Sequence, residues 1–132
     1  MKQQFGNTKT TGFTFIELLV VVTIIMVLSM VGAVAYRQTN ASARNARRKA
    51  DLESIRSALE LCRSEVGSYP DDITGTITCG ATTFLNPVPE DPRDGQTGYS
   101  YSYTKTAATT YTLCAQTMEG SSETSPYCIT NP

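Results

Sequence analysis

The chain has 132 residues, 40% of them apolar, and a formal net charge of −1. That length allows one small domain plus an appendage. There is no His, so acid–base chemistry near neutral pH lacks its usual side chain.

The first twelve residues are polar and carry Lys2 and Lys9 with no acid. An apolar run follows from Phe13, and residues 18–35 hold no charge. About 20 apolar residues are enough to cross a bilayer. One residue breaks the pattern: Glu17, at the fifth position of the run. A carboxylate inside a membrane segment is costly and marks a functional position with a partner to be named. A plain anchor and a secretory signal peptide cut near Ala33-Val34-Ala35 are the competing readings. The apolar run is longer than the 7–15 residues typical of a signal-peptide core.

The string Gly12-Phe13-Thr14-Phe15-Ile16-Glu17-Leu18-Leu19 resembles the prepilin motif shared by type IV pilins and type II secretion pseudopilins. The resemblance implies a prepilin peptidase that cuts between Gly12 and Phe13 and methylates Phe13. It also implies that Glu17 of one subunit neutralises the Phe13 amine of its neighbour and so sets axial register. Neutralisation within one subunit is the plainer alternative. The implied fold is α+β: one long helix, apolar then amphipathic, packed on a small antiparallel sheet. The expected layout is a leader at 1–12, an apolar membrane or filament-core helix at 13–36 and an amphipathic half at 37–66. A variable loop at 67–98 and a sheet with a C-terminal disulfide loop at 99–132 complete it.

No Pro lies between Phe13 and Tyr69, so one helix is expected from Phe13 to Val66, roughly 80 Å long at 1.5 Å per residue. Leu52, Ile55, Leu59, Cys62 and Val66 follow spacings of 3 and 4 and predict one buried stripe. Charge is uneven. Six basic residues (Arg37, Arg44, Arg47, Arg48, Lys49, Arg56) face two acids between 37 and 56, and nine acids face three basic residues from Glu60 onward. The 44–49 segment shows no stripe. It is a solvated helix face or a contact for acidic neighbours, phosphate headgroups or nucleic acid. Positive-inside counting sets two basic residues in the leader against five at 37–49, which favours a cytoplasmic C-terminal side. The cysteines and the Ser/Thr-rich domain favour the opposite orientation.

Gly67 with Pro70 marks the helix end. Residues 71–98 read as a long connection with a short strand at 76–79. Strict alternation at Tyr99–Tyr103 and again at Tyr111–Ala115 predicts two strands joined by a turn at 104–110. Their tyrosine faces are expected to cover the helix stripe.

Cys62, Cys79, Cys114 and Cys128 make an even set in a small exported domain, which reads as two disulfides. Three pairings are possible, and Cys62–Cys79 with Cys114–Cys128 close the shortest loops. No CxxC pair supports a zinc site. Glu90, Asp91 and Asp94 form a weak calcium candidate, but an ordinary Asp-Pro turn explains them better. Asn40-Ala41-Ser42 is a formal sequon beside the membrane helix, where use is not expected. No catalytic constellation and no cofactor is expected. The expected function is a structural filament subunit that polymerises with like subunits. Its partners are a prepilin peptidase, an inner-membrane assembly platform and, before assembly, the membrane itself. The expected location is a single-pass precursor with its C-terminal domain outside the cytoplasm, then an extracellular or periplasmic filament. A membrane-anchored or secreted binding module is the alternative.

Overall fold

The computed structural model describes residues 12–120 and 123–131. Residues 1–11, where most of the expected leader falls, lie outside the described residues. One long helix, α1 (Phe15–Val66), precedes five short strands. They are β1 (Ile77–Cys79), β2 (Thr82–Leu85), β3 (Tyr101–Ala107), β4 (Thr110–Ala115) and β5 (Tyr127–Thr130). The fold is α+β, as expected of a type IV pilin. The chain separates into two compact units, Met1–Arg37 and Gln38–Pro132.

In the first unit every described residue from Gly12 to Arg37 is exposed. The stretch is apolar and helical, and α1 is long and apolar enough to cross a membrane. The Thr23 hydroxyl donates to the Val20 carbonyl at 2.8 Å, and that of Ser29 donates to Ile25 at 2.7 Å. Both hydroxyls are thus satisfied by their own helix, the usual solution for Ser and Thr in an apolar helix.

In the second unit Leu52, Ile55, Leu59 and Cys62 are wholly buried, with Ala58 beside them. Val66 departs from the expected stripe: it is 46% exposed, in the last turn before Gly67. Gly67 adopts φ +78° and its amide donates to the Arg63 carbonyl at 2.8 Å, which closes the helix. The stripe instead continues toward the N-terminus through Arg48 and Asn45, both buried. The spacing from 45 to 62 is 3, 4, 3, 4, 3, so two polar residues occupy positions that geometry assigns to the core.

β1 and β2 form an antiparallel hairpin, and β3-β4-β5 form a three-stranded antiparallel sheet. β1 falls at the expected strand. β3 begins two residues later than expected and runs on to Ala107, which shortens the turn to Ala108-Thr109. The Thr-Lys-Thr stretch has strand propensity, and Lys105 is held by Asp71 at 2.7 Å. β2 and β5 were not expected as strands. β5 pairs with β4 so that Cys128 lies opposite Cys114. The inner face of the sheet carries Tyr101, Tyr103, Tyr111, Leu113 and Ala115, all in one core with the helix stripe. Tyr69 meets Tyr111 edge to face at 4.7 Å.

The disulfides are Cys62–Cys79 and Cys114–Cys128. The first ties α1 to β1 and the second ties β4 to β5. Loops of this length each contribute about 3 kcal/mol in the chain-entropy account.

Candidate functional site

α1 begins at Phe15, two residues later than expected, because Thr14 caps it. The Thr14 amide donates to Glu17 Oε2 at 2.9 Å and its hydroxyl donates to the same oxygen at 2.7 Å. The Glu17 amide donates back to the Thr14 hydroxyl at 3.3 Å. This is a reciprocal capping box, and the carboxylate also meets the positive end of the helix dipole. The sequence signal for it is Thr14-x-x-Glu17, the spacing of a capping box. Gly12 and Phe13 precede the cap outside the helix and are exposed, with Phe13 at 86% exposure. The Glu17 carboxylate is held one turn away from this non-helical stretch.

Residues 7–33 match the family described as the prokaryotic N-terminal methylation motif. The chain carries a type IV pilin-like prepilin motif. The match spans this segment and not the residues from 34 onward. No curated protein and no solved structure matches the chain. The prepilin motif implies processing by a prepilin peptidase. With the apolar helix, it fits a membrane-anchored precursor.

A second cluster lies in the other unit, where 44–49 read as a solvated face or a contact for outside anions. Arg48 is fully buried. Its Nε donates to Asp91 Oδ2 at 2.7 Å and its Nη2 donates to Asp91 Oδ1 at 3.0 Å, a bidentate pair. Nη2 also reaches Glu119 at 3.0 Å, and Nη1 donates to Asn45 at 2.8 Å. Asn45 in turn brackets the Glu119 backbone: its Nδ2 donates to the carbonyl at 2.7 Å and its Oδ1 accepts from the amide at 2.9 Å. Arg44 holds the Glu119 carboxylate through both Nε and Nη2, and Arg93 reaches it at 3.2 Å. The Tyr99 ring has the Arg48 guanidinium 5.1 Å from its centroid and that of Arg93 at 4.9 Å. Lys49 pairs with Glu123 at 3.0 Å.

The network fixes its own protonation. Arg44, then Arg48, hold the Glu119 carboxyl down to about 2 against the opposing effect of burial. Burial pushes Asp91 up, but the Arg48 bond and the Arg93 amide outweigh it, so its carboxyl lies below the usual range. Arg48 is correspondingly raised, chiefly by Asp91. The network binds α1 to the loop at 91–99 and to the β4–β5 connection. Arg44, Arg48 and Lys49, which read as a solvated face or a contact for outside anions, are thus taken by carboxylates of the same unit.

The calcium candidates differ in environment. Asp91 is buried against Arg48, whereas Glu90 and Asp94 are exposed. Among the described residues no three His, Cys, Asp or Glu side chains form a metal-sized group.

Proposed function

We propose that the chain is a structural subunit of a type IV pilus or type II secretion-like filament. The observation that carries this reading is the methylation motif at 7–33 on an apolar helix whose side chains have nothing to cover them. A prepilin peptidase cuts between Gly12 and Phe13 and methylates Phe13, which keeps a cationic amine. An inner-membrane assembly platform then moves subunits from membrane to filament, where the apolar segments at 13–36 cover one another. In that core an unpaired carboxylate is expensive and a paired one is tolerable. Glu17 exchanges its contact with Thr14 for the Phe13 amine of a neighbour, and the pairing selects register.

The amphipathic half at 37–66, the loop at 67–98 and the sheet at 99–132 form the outer domain. Two disulfides support its placement outside the cytoplasm. N-terminal sequencing of the mature chain tests the reading. A methylated Phe13 is the expected result. A start at Tyr36 means ordinary secretion, and an intact Met1 means a simple anchor; either overturns the proposal.

A further inference from the structure

A cavity of about 270 Å³ opens beside β3 in the second unit. Its walls include Ile55, Ile73, Val88 and Tyr101, and Asp72, Glu90 and Asp94 also line it. All three carboxylates belong to exposed residues. Asp72 accepts from the Thr74 amide at 3.1 Å and from its hydroxyl at 2.6 Å. Glu90 and Asp94 have no side-chain partner among the described residues. The floor carboxylate, Asp91, is already neutralised by Arg48. The hydroxyl of Tyr101 is taken by Asp51 at 2.8 Å and that of Tyr103 by the Pro70 carbonyl at 2.7 Å. What the cavity still offers is apolar wall, aromatic surface and unneutralised negative charge. That combination suits the guanidinium of an arginine, which stacks on rings and donates to carboxylates.

The charge inventory of the chain names a donor. Among the described cations, Arg44, Arg48, Lys49, Arg93 and Lys105 are paired with acids distant in sequence. Arg47 and Arg56 have acids on their own helix, and Arg63 lies against Tyr69. Arg37 is exposed and is the one described cation with no ion pair, hydrogen bond or ring contact. It sits at the end of the apolar segment, where filament packing would bring copies together.

We propose that Arg37 of one copy docks in the cavity lined by Asp72, Glu90 and Asp94 of a second copy. This rests on the filament reading and adds a polar contact to it. The contact is heterologous, since donor and acceptor are different surfaces, and such contacts propagate into helical filaments.

The test measures filament sheared from cells expressing the full chain with its assembly machinery. R37E opposes like charges and lowers the yield about tenfold, as does E90R/D94R. The combined R37E/E90R/D94R chain recovers most of the wild-type yield. Wild-type yield from R37E, or no recovery in the combination, overturns the docking. If E90R/D94R unfolds the domain, E90Q/D94N replaces it, and an unchanged yield from that variant is equally fatal. Loss in R37E, retention in Arg37→Lys and indifference to both cavity variants would put Arg37 on a phosphate surface, which also overturns it. A wild-type chain that makes no filament and keeps Met1 defeats the filament reading itself; a wild-type filament with insensitive variants defeats only this inference.

Discussion

The two units bury opposite kinds of side chain. Between Phe13 and Tyr36 the chain exposes Phe, Ile, Leu and Val at 40–86% of their surface. In the second unit the largest fully buried side chain is an arginine, Arg48. Hydropathy alone would have assigned each the reverse. The difference lies in who supplies the partner. Arg48 finds two carboxylates and an amide within its own unit, so its charge is neutralised locally. The apolar helix finds nothing locally, so lipid or other copies must cover it.

The sharpest way to break this comparison is Glu17→Ala. On the proposed reading the variant inserts and is processed, but assembled filament is lost. Cell fractionation and shearing separate the two outcomes, and wild-type filament levels would remove Glu17 from assembly. The second test works on the other unit. Arg48→Ala strands Asp91 without its partner and should destabilise the domain by about 3–5 kcal/mol. Replacing the pair together, as R48M/D91L, should recover most of that loss, because apolar groups of similar volume need no partner. Urea denaturation of the detergent-solubilised chain reads both. Equal losses in the single and paired variants would mean that packing, and not charge, is what Arg48 provides.

The cysteine pairs extend the same logic. Cys62 and Cys79 are buried, whereas Cys128 is exposed. Both bridges close similar loops, 17 and 14 residues apart, so their entropic contributions are nearly equal at about 3 kcal/mol. C62S/C79S adds two buried hydroxyls to that loss, about 1–3 kcal/mol more if they find no partner. C114S/C128S should therefore be the milder variant. A reversed order of denaturation midpoints would show that the β4–β5 bridge carries the domain.

Acid probes the network directly. Asp91 and Glu119 have carboxyls held below their unfolded values, so the folded state binds protons less readily than the unfolded state. The stabilising contribution of Glu119 is complete above the ordinary carboxylate range near pH 4 and is lost as pH falls toward about 2, and that of Asp91 is likewise lost on acidification. Urea midpoints should therefore hold from pH 7 to about 5 and then decline. E119Q should flatten part of that decline. An unchanged slope in E119Q would mean that other carboxylates carry the acid response.

How much of this was legible depends on whether the signal was local. The prepilin string, the stripe at 52, 55, 59 and 62, the helix stop at Gly67 and the alternation in β4 are local patterns, and each was read from sequence. β5 was missed because Tyr127–Thr130 is a four-residue strand that gains its order from β4 and the Cys114–Cys128 bridge. The network was missed because Arg48 meets Asp91 and Glu119 at separations of 43 and 71 residues. No periodicity connects them. One clue was available: extending the stripe backward by 4 and then 3 from Leu52 lands on Arg48 and Asn45. A charged residue in register with a core stripe calls for a counter-charge, and Asp91 and Glu119 in the acidic loops supply it.

The smallest expected effect is the most discriminating, because it concerns a neighbour in sequence. Arg47 precedes Arg48 and has the same chemistry, but about 100° of helical rotation turns it away from the stripe. Its side chain is 67% exposed, and its one ion pair, to Asp51, spans 3.9 Å. Exposed pairs of this kind are worth little, because water screens the charges and a long side chain loses freedom when held. Arg47→Ala should therefore shift stability by less than about 0.5 kcal/mol. Salt should make no further difference, since little attraction is there to be screened. Were Arg47→Ala to approach the cost of Arg48→Ala, the charges of 44–49 would act as a patch, and burial at position 48 would cease to explain what separates the two units.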